Sequence, residues 1–105
     1  MLKKKYQDTI RDMALKHLNK DAVLFVYGSS ARSDRFNDVD LGYIDEGADK
    51  KVRYKIMDDL EESLLPYEVD VVDFGTVEEK FRKSVFKEKI VWLTLKKDLI
   101  FLKRS

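Results

Sequence analysis

Cysteine is absent from the 105 residues and histidine occurs once, at position 17. The first absence excludes disulfides and cysteinyl zinc sites, and it fits a reducing compartment. The second excludes a multi-histidine metal centre and a proton relay through two imidazoles. One proline and four glycines leave room for short turns only, and no repeat, low-complexity tract or linker interrupts the chain. No apolar run approaches the roughly 18 residues of a membrane span. The opening "MLKKKYQDTI" lacks the apolar centre of a secretion signal. The chain is therefore expected to be cytoplasmic, without a membrane partner, and to form a single domain over residues 1–105.

What is present is a sizeable apolar fraction, 44%, enough for a core, and an uneven distribution of charge. Residues 1–20 hold six Lys/Arg and two Asp. Residues 21–79 hold six Lys/Arg against sixteen Asp/Glu, and residues 80–105 nine against two. The segments carry +4, −10 and +7, which sum to the net +1. An acidic centre between basic ends suits a cation site flanked by positive charge for an anionic ligand or an acidic partner. A nucleic-acid partner reached through Lys3–Lys5 and the 80–105 tail is not expected, because the net charge is near zero and the centre is acidic.

Helical spacing of Tyr6, Ile10, Met13, Ala14 and Leu18 predicts a helix over 3–19. The run "AVLFVY" (22–27) predicts a buried strand ended by Gly28, and the alternation in "DVDLGYI" (38–44) a second. Val52, Ile56, Leu60 and Leu64 mark a helix from about Asp49 to Leu64, limited by Pro66. "YEVDVVDF" (67–74) predicts a third strand. Thr76 is placed as the N-cap of a helix with Glu79 in the capping-box position. That helix is expected to run to about Leu95, followed by a turn at Lys97-Asp98 and a last strand over Leu99–Leu102. Strands interleaved with helices give an α/β (α+β) fold with a mixed sheet of three to four strands. The link from Tyr27 to Asp38 is too short for a full crossover helix, so the first two strands are expected to be antiparallel neighbours or to be joined through one helical turn. Trp92, Phe101 and Tyr43 are aromatic candidates for either core or partner surface.

The chemistry is concentrated in "VYGSSARSDRFNDVDLGYID". Asp38 and Asp40 alternate with Val39 and Leu41, so both carboxylates share one strand face. They stand about 7 Å apart along the strand (two residues at ~3.3 Å). Such a pair repels unless a cation lies between its members. In the third strand, Val69 and Val71 facing the core put Asp70 on the opposite face with Val72 and Phe74. Asp73 then falls on the other side, near the strand end. Three hard oxygen donors without His or Cys suit Mg²⁺ or Mn²⁺. An EF-hand is a poor alternative because Gly42 occupies its third ligand position. Gly28 allows a sharp turn and close approach to a ligand. If residues 29–32 form a helical turn, their N–H groups and the Ser29 hydroxyl make a nest for phosphate.

Taken together, "YGSSARSDRFNDVDL" followed by "VDVVDF" resembles the DNA polymerase beta-like nucleotidyltransferase superfamily, and within it the minimal, antitoxin-type nucleotidyltransferases. Gly28, Ser29, Asp38, Asp40 and Asp70 match the pattern position by position, and Arg32 matches a basic residue common in the loop. Two departures are visible: Ser33 stands where the family loop has a final glycine, and only residues 30–37 separate Ser29 from Asp38. The resemblance implies Asp38, Asp40 and Asp70 as catalytic, metal-holding residues for two Mg²⁺ ions, with Gly28, Ser29 and Arg32 on the triphosphate of ATP. It implies that Asp38 and Asp40 share both ions, and that Asp70 serves the acceptor hydroxyl and takes its proton. It further implies transfer of AMP to a hydroxyl of a small helical HEPN-type toxin, the transferase acting as antitoxin. A homo- or hetero-oligomer is compatible with this. The alternative is an inactive antitoxin that neutralises by contact and keeps the site as a relic.

Overall fold

The computed structural model describes residues 1–94. Eight elements follow in order: α1 (Lys4–Leu15), β1 (Val23–Tyr27), α2 (Ser29–Arg32), β2 (Asp38–Ile44), α3 (Val52–Glu61), β3 (Glu68–Asp73), α4 (Glu79–Phe86) and β4 (Val91–Trp92). The four strands form one sheet in the order β3-β2-β1-β4. β1 is antiparallel to both β2 and β4. β2 and β3, joined through α3, run parallel. The sheet is mixed, as the connection lengths require.

Each face of the sheet builds its own core. Leu24, Val26, Val39, Leu41, Tyr43 and Val71 pack with Ile10 and Ala14 of α1 and with Val52, Ile56 and Leu60 of α3. Each fully buried aliphatic side chain of this layer contributes about 1.5–3 kcal/mol. On the other face Val23, Phe25, Tyr27, Ile44 and Phe74 gather under Val85 and Phe86 of α4, with Ile90 and Trp92 beside them. Gly42 makes this second layer possible, because a Cβ there would lie 2.5 Å from the Phe25 ring and 2.7 Å from that of Phe74. The Phe25 and Phe74 rings consequently meet edge to face, 4.9 Å between centroids.

The helices are shorter than their apolar periodicity predicts, and side-chain hydrogen bonds, one tertiary and one local, mark where they stop. Past Leu15 the chain turns because Asp45 accepts the Asn19 backbone N–H at 2.7 Å and its Nδ2 at 2.9 Å. Leu18 still packs on the core from outside the helix. α3 ends at Glu61, where the Ser63 hydroxyl donates to the Leu60 carbonyl at 2.6 Å. Leu64 therefore leaves the stripe that Val52, Ile56 and Leu60 form, and it is fully exposed (101%).

The last helix departs furthest from expectation. α4 begins at Glu79 with Glu78 at the N-cap and no side-chain capping bond. Thr76 is instead spent on the preceding turn, donating to the Asp73 carbonyl at 3.0 Å. Nor does α4 reach Leu95. It ends at Phe86, and Val91–Trp92 pair with β1 through Phe25↔Trp92 and Val26↔Val91. The β-formers of "IVW" satisfy the open edge of β1 better than they extend a helix. Tyr43 is buried, while Trp92 lies half-buried against Phe25 and Phe86. The turn at Lys97-Asp98, the strand at Leu99–Leu102 and Phe101 lie outside the described residues.

Candidate active site

Tyr27 ends β1, and the next residue, Gly28, has φ 70° and ψ −156°. This conformation is open to glycine and strained for any residue with a Cβ. It reverses the chain directly into the single turn α2, closed by Ser33 N–H to the Ser29 carbonyl at 2.8 Å. Residues 29–32 thus form the helical turn that the phosphate-nest reading requires. Ser29 is exposed, and Ser30 beside it is completely buried.

The turn lies against the carboxylates. A Cβ on Gly28 would come within 2.4 Å of Asp40 Oδ2, so only a bare Cα lets the loop sit beside that carboxylate. Register puts Asp40 directly opposite Tyr27 on one side and Asp70 on the other. Asp38 stands opposite Glu68. Because directly paired residues point to the same side of a sheet, Asp38, Asp40, Glu68 and Asp70 share the face that carries Tyr27, Phe25 and Phe74. Asp73 pairs with Tyr43, on the opposite parity, and its Oδ1 accepts the Gly75 N–H at 2.9 Å. The strand alternation thus separates Asp70 from Asp73 as predicted. Glu68 escaped the sequence reading, although its parity with Asp70 in "YEVDVVDF" was available as a signal.

Electrostatics follow from this crowding. The Asp40 carboxyl is half-buried and held above the ordinary carboxylate range, first by burial, then by repulsion from Asp70 and from Asp38. Burial, with the same Asp40 and Asp70 charges, pushes the Tyr27 hydroxyl up to about 12. Arg32 brings positive charge to the end of α2, and its Nη1 lies 3.3 Å from Glu88 Oε2 in the turn after α4.

The donor set fits a hard divalent cation, since it is made of carboxylate oxygens whose mutual repulsion a cation would relieve. The side chains as placed do not close around a common point: among the described residues, no three acidic or imidazole groups form a ready-made cage.

The family model described as "Polymerase beta, Nucleotidyltransferase" matches residues 8–98. The chain belongs to this family. It is accordingly a nucleotidyltransferase, and the mixed sheet with flanking helices is the fold of its relatives. A probable protein adenylyltransferase, MntA, from Haemophilus influenzae is 31% identical over 80 residues, which cover 73% of this chain and 70% of that protein. Among solved structures, a toxin–antitoxin complex crystallised with AMP-PNP superposes with a TM-score of 0.73 at 19% identity, covering 93% of this chain and 82% of that one. An MNT antitoxin bound to a tri-AMPylated HEPN toxin from Shewanella oneidensis gives a TM-score of 0.59 at 16% identity, covering 93% and 87%. Among the described residues, no helix of this nucleotidyltransferase is long and apolar enough to cross a membrane.

Proposed function

We propose that this nucleotidyltransferase, acting as a single domain over residues 1–105, moves AMP from ATP onto a hydroxyl of a helical HEPN-type toxin and thereby serves as its antitoxin. The observation that carries the reading is the placement of Asp38, Asp40 and Asp70 on one sheet face, with Gly28 pressed against Asp40. The relatives support the acceptor: one is named a protein adenylyltransferase, and another is held in complex with an AMPylated toxin.

In this reading Gly28 and Ser29 receive the triphosphate where the backbone is bare enough for close approach, and Arg32 adds a charge-assisted contact. Asp38, Asp40 and Asp70 would hold two Mg²⁺ ions, or Mn²⁺, which would neutralise charge on the phosphates and acidify the acceptor hydroxyl. Asp70, on the open side of the sheet face, orients that hydroxyl and takes its proton. The acceptor oxygen bonds to the α-phosphorus as the bond from that phosphorus to the β-phosphate bridging oxygen breaks. Pyrophosphate leaves with the electron pair.

Metal-dependent release of pyrophosphate from ATP in the presence of the toxin tests this directly. Titration with Mg²⁺-ATP separates it from a relic that neutralises by contact, which would bind nucleotide poorly and transfer nothing.

A further inference from the structure

We infer that Ser30, and not only its exposed neighbour Ser29, is a positioning residue for nucleotide transfer, holding the Gly28–Ser29 turn in register with Asp40. The inference rests on the function proposed above and extends it to a residue to which the motif match gives no role. Ser30 is 0% exposed and, the tyrosines aside, is the only buried residue with a polar side chain among the described residues. Its hydroxyl donates to the Tyr27 carbonyl at 3.1 Å and accepts the Asp40 N–H at 3.3 Å. Tyr27 and Asp40 are themselves register partners. One hydroxyl therefore touches the last paired residue of β1, belongs to the phosphate-binding turn, and holds the backbone of the half-buried aspartate.

The turn is also tied from the other side, where the buried Leu2 donates its N–H to the Ser30 carbonyl at 2.9 Å. Residue 30 is thus fixed at both its side chain and its main chain. Without the hydroxyl, the buried Tyr27 carbonyl and the part-buried Asp40 N–H lose a shared partner, and α2 can shift against β2. Phosphoryl chemistry depends on alignment of this kind, and a displacement near 1 Å can cost about 10²-fold in rate.

The test compares Ser30→Ala with Ile56→Val, a core change of modest destabilising effect on α3, and with Ser30→Cys, a slightly larger side chain that keeps a weaker hydrogen-bonding group. Ser30→Ala is expected to lower kcat about 10- to 100-fold with KM for ATP changed less than about threefold, while Ile56→Val keeps the wild-type kcat. In the metal-free chain, the Asp40 amide proton is expected to exchange at least about tenfold faster in Ser30→Ala. Should Ser30→Ala fail to fold, Ser30→Cys carries the comparison, with kcat expected several-fold below wild type. Wild-type kcat in a folded Ser30 variant, an equal fall in Ile56→Val, or unchanged Asp40 exchange overturns the inference. A wild-type chain that transfers no nucleotide overturns the proposed function and this inference together, whereas active wild type with active Ser30→Ala overturns only the latter.

Discussion

Asp40 and Asp70 are direct register partners on the parallel strands β2 and β3, so two carboxylates project side by side from one sheet face. Asp40 is the less exposed of the two, and burial and the Asp70 charge both disfavour its ionised form. The arrangement costs stability when no cation is bound, which is the pattern the proposed site requires.

Asp40→Asn should therefore stabilise the metal-free chain at neutral pH while removing transfer. A carboxyl whose folded pKa is raised contributes fully below its unfolded value of 3.8 and loses that contribution as pH rises through the folded value. As pH rises through that acid window the wild type should lose stability relative to Asp40→Asn. The side chain is partly solvated, so screening limits the gain at pH 7 to a few degrees of Tm. Calorimetry at pH 3 and pH 7 measures it, and a lower Tm for the variant at pH 7 would contradict this account.

Gly28→Ala should be damaging in two ways. The positive φ costs a side chain about 1–2 kcal/mol, and the added Cβ meets Asp40 Oδ2. Denaturant unfolding should show that loss or more, with transfer reduced at least about tenfold in the protein that remains folded. An alanine variant with wild-type stability would mean that the loop does not approach Asp40 as described.

Strand parity makes Asp73 the natural control for Asp70. Asp70→Asn should abolish transfer, whereas Asp73→Asn, which alters the turn contact to the Gly75 N–H, should keep at least about half of it and cost under ~1 kcal/mol. Equal losses from both substitutions would contradict the assignment of faces.

The alkaline limit of stability should reflect two buried tyrosines. Burial first, helped by Asp73, pushes the Tyr43 hydroxyl up to about 12, and Tyr27 behaves alike. Groups whose folded pKa is raised stabilise fully below the unfolded value of 10.0 and lose that contribution towards about 12. Unfolding followed by tyrosinate absorbance should fall in that window, and Tyr43→Phe should move it upward. An unchanged midpoint would show that Tyr43 plays no part.

The strands were legible because their residues are local statements: "AVLFVY", "DVDLGYI" and "YEVDVVDF" each carry β-formers with a clear period. The same period separated Asp70 from Asp73. Helix ends were not legible, since Asn19 meets Asp45 only in the folded chain and the local bond from Ser63 back to Leu60 leaves no mark on apolar periodicity. The strand Val91–Trp92 depends on the open edge of β1, which apolar periodicity in the tail does not reveal. His17 had no readable role either, yet its Nε2 lies 2.5 Å from Asp59 Oδ2 and ties the turn after α1 to α3. Ser29 and Ser30 look equivalent on paper, and only the glycine turn decides which one is buried.

The most direct measurement is transfer of label from α-³²P-ATP to a HEPN-type toxin in the presence of Mg²⁺, with pyrophosphate counted alongside. Wild-type chain should label the toxin and release one pyrophosphate per AMP transferred, and Asp40→Asn and Asp70→Asn should each fall at least about 10²-fold. An unlabelled toxin with wild-type chain, or wild-type rates in either variant, would contradict the account.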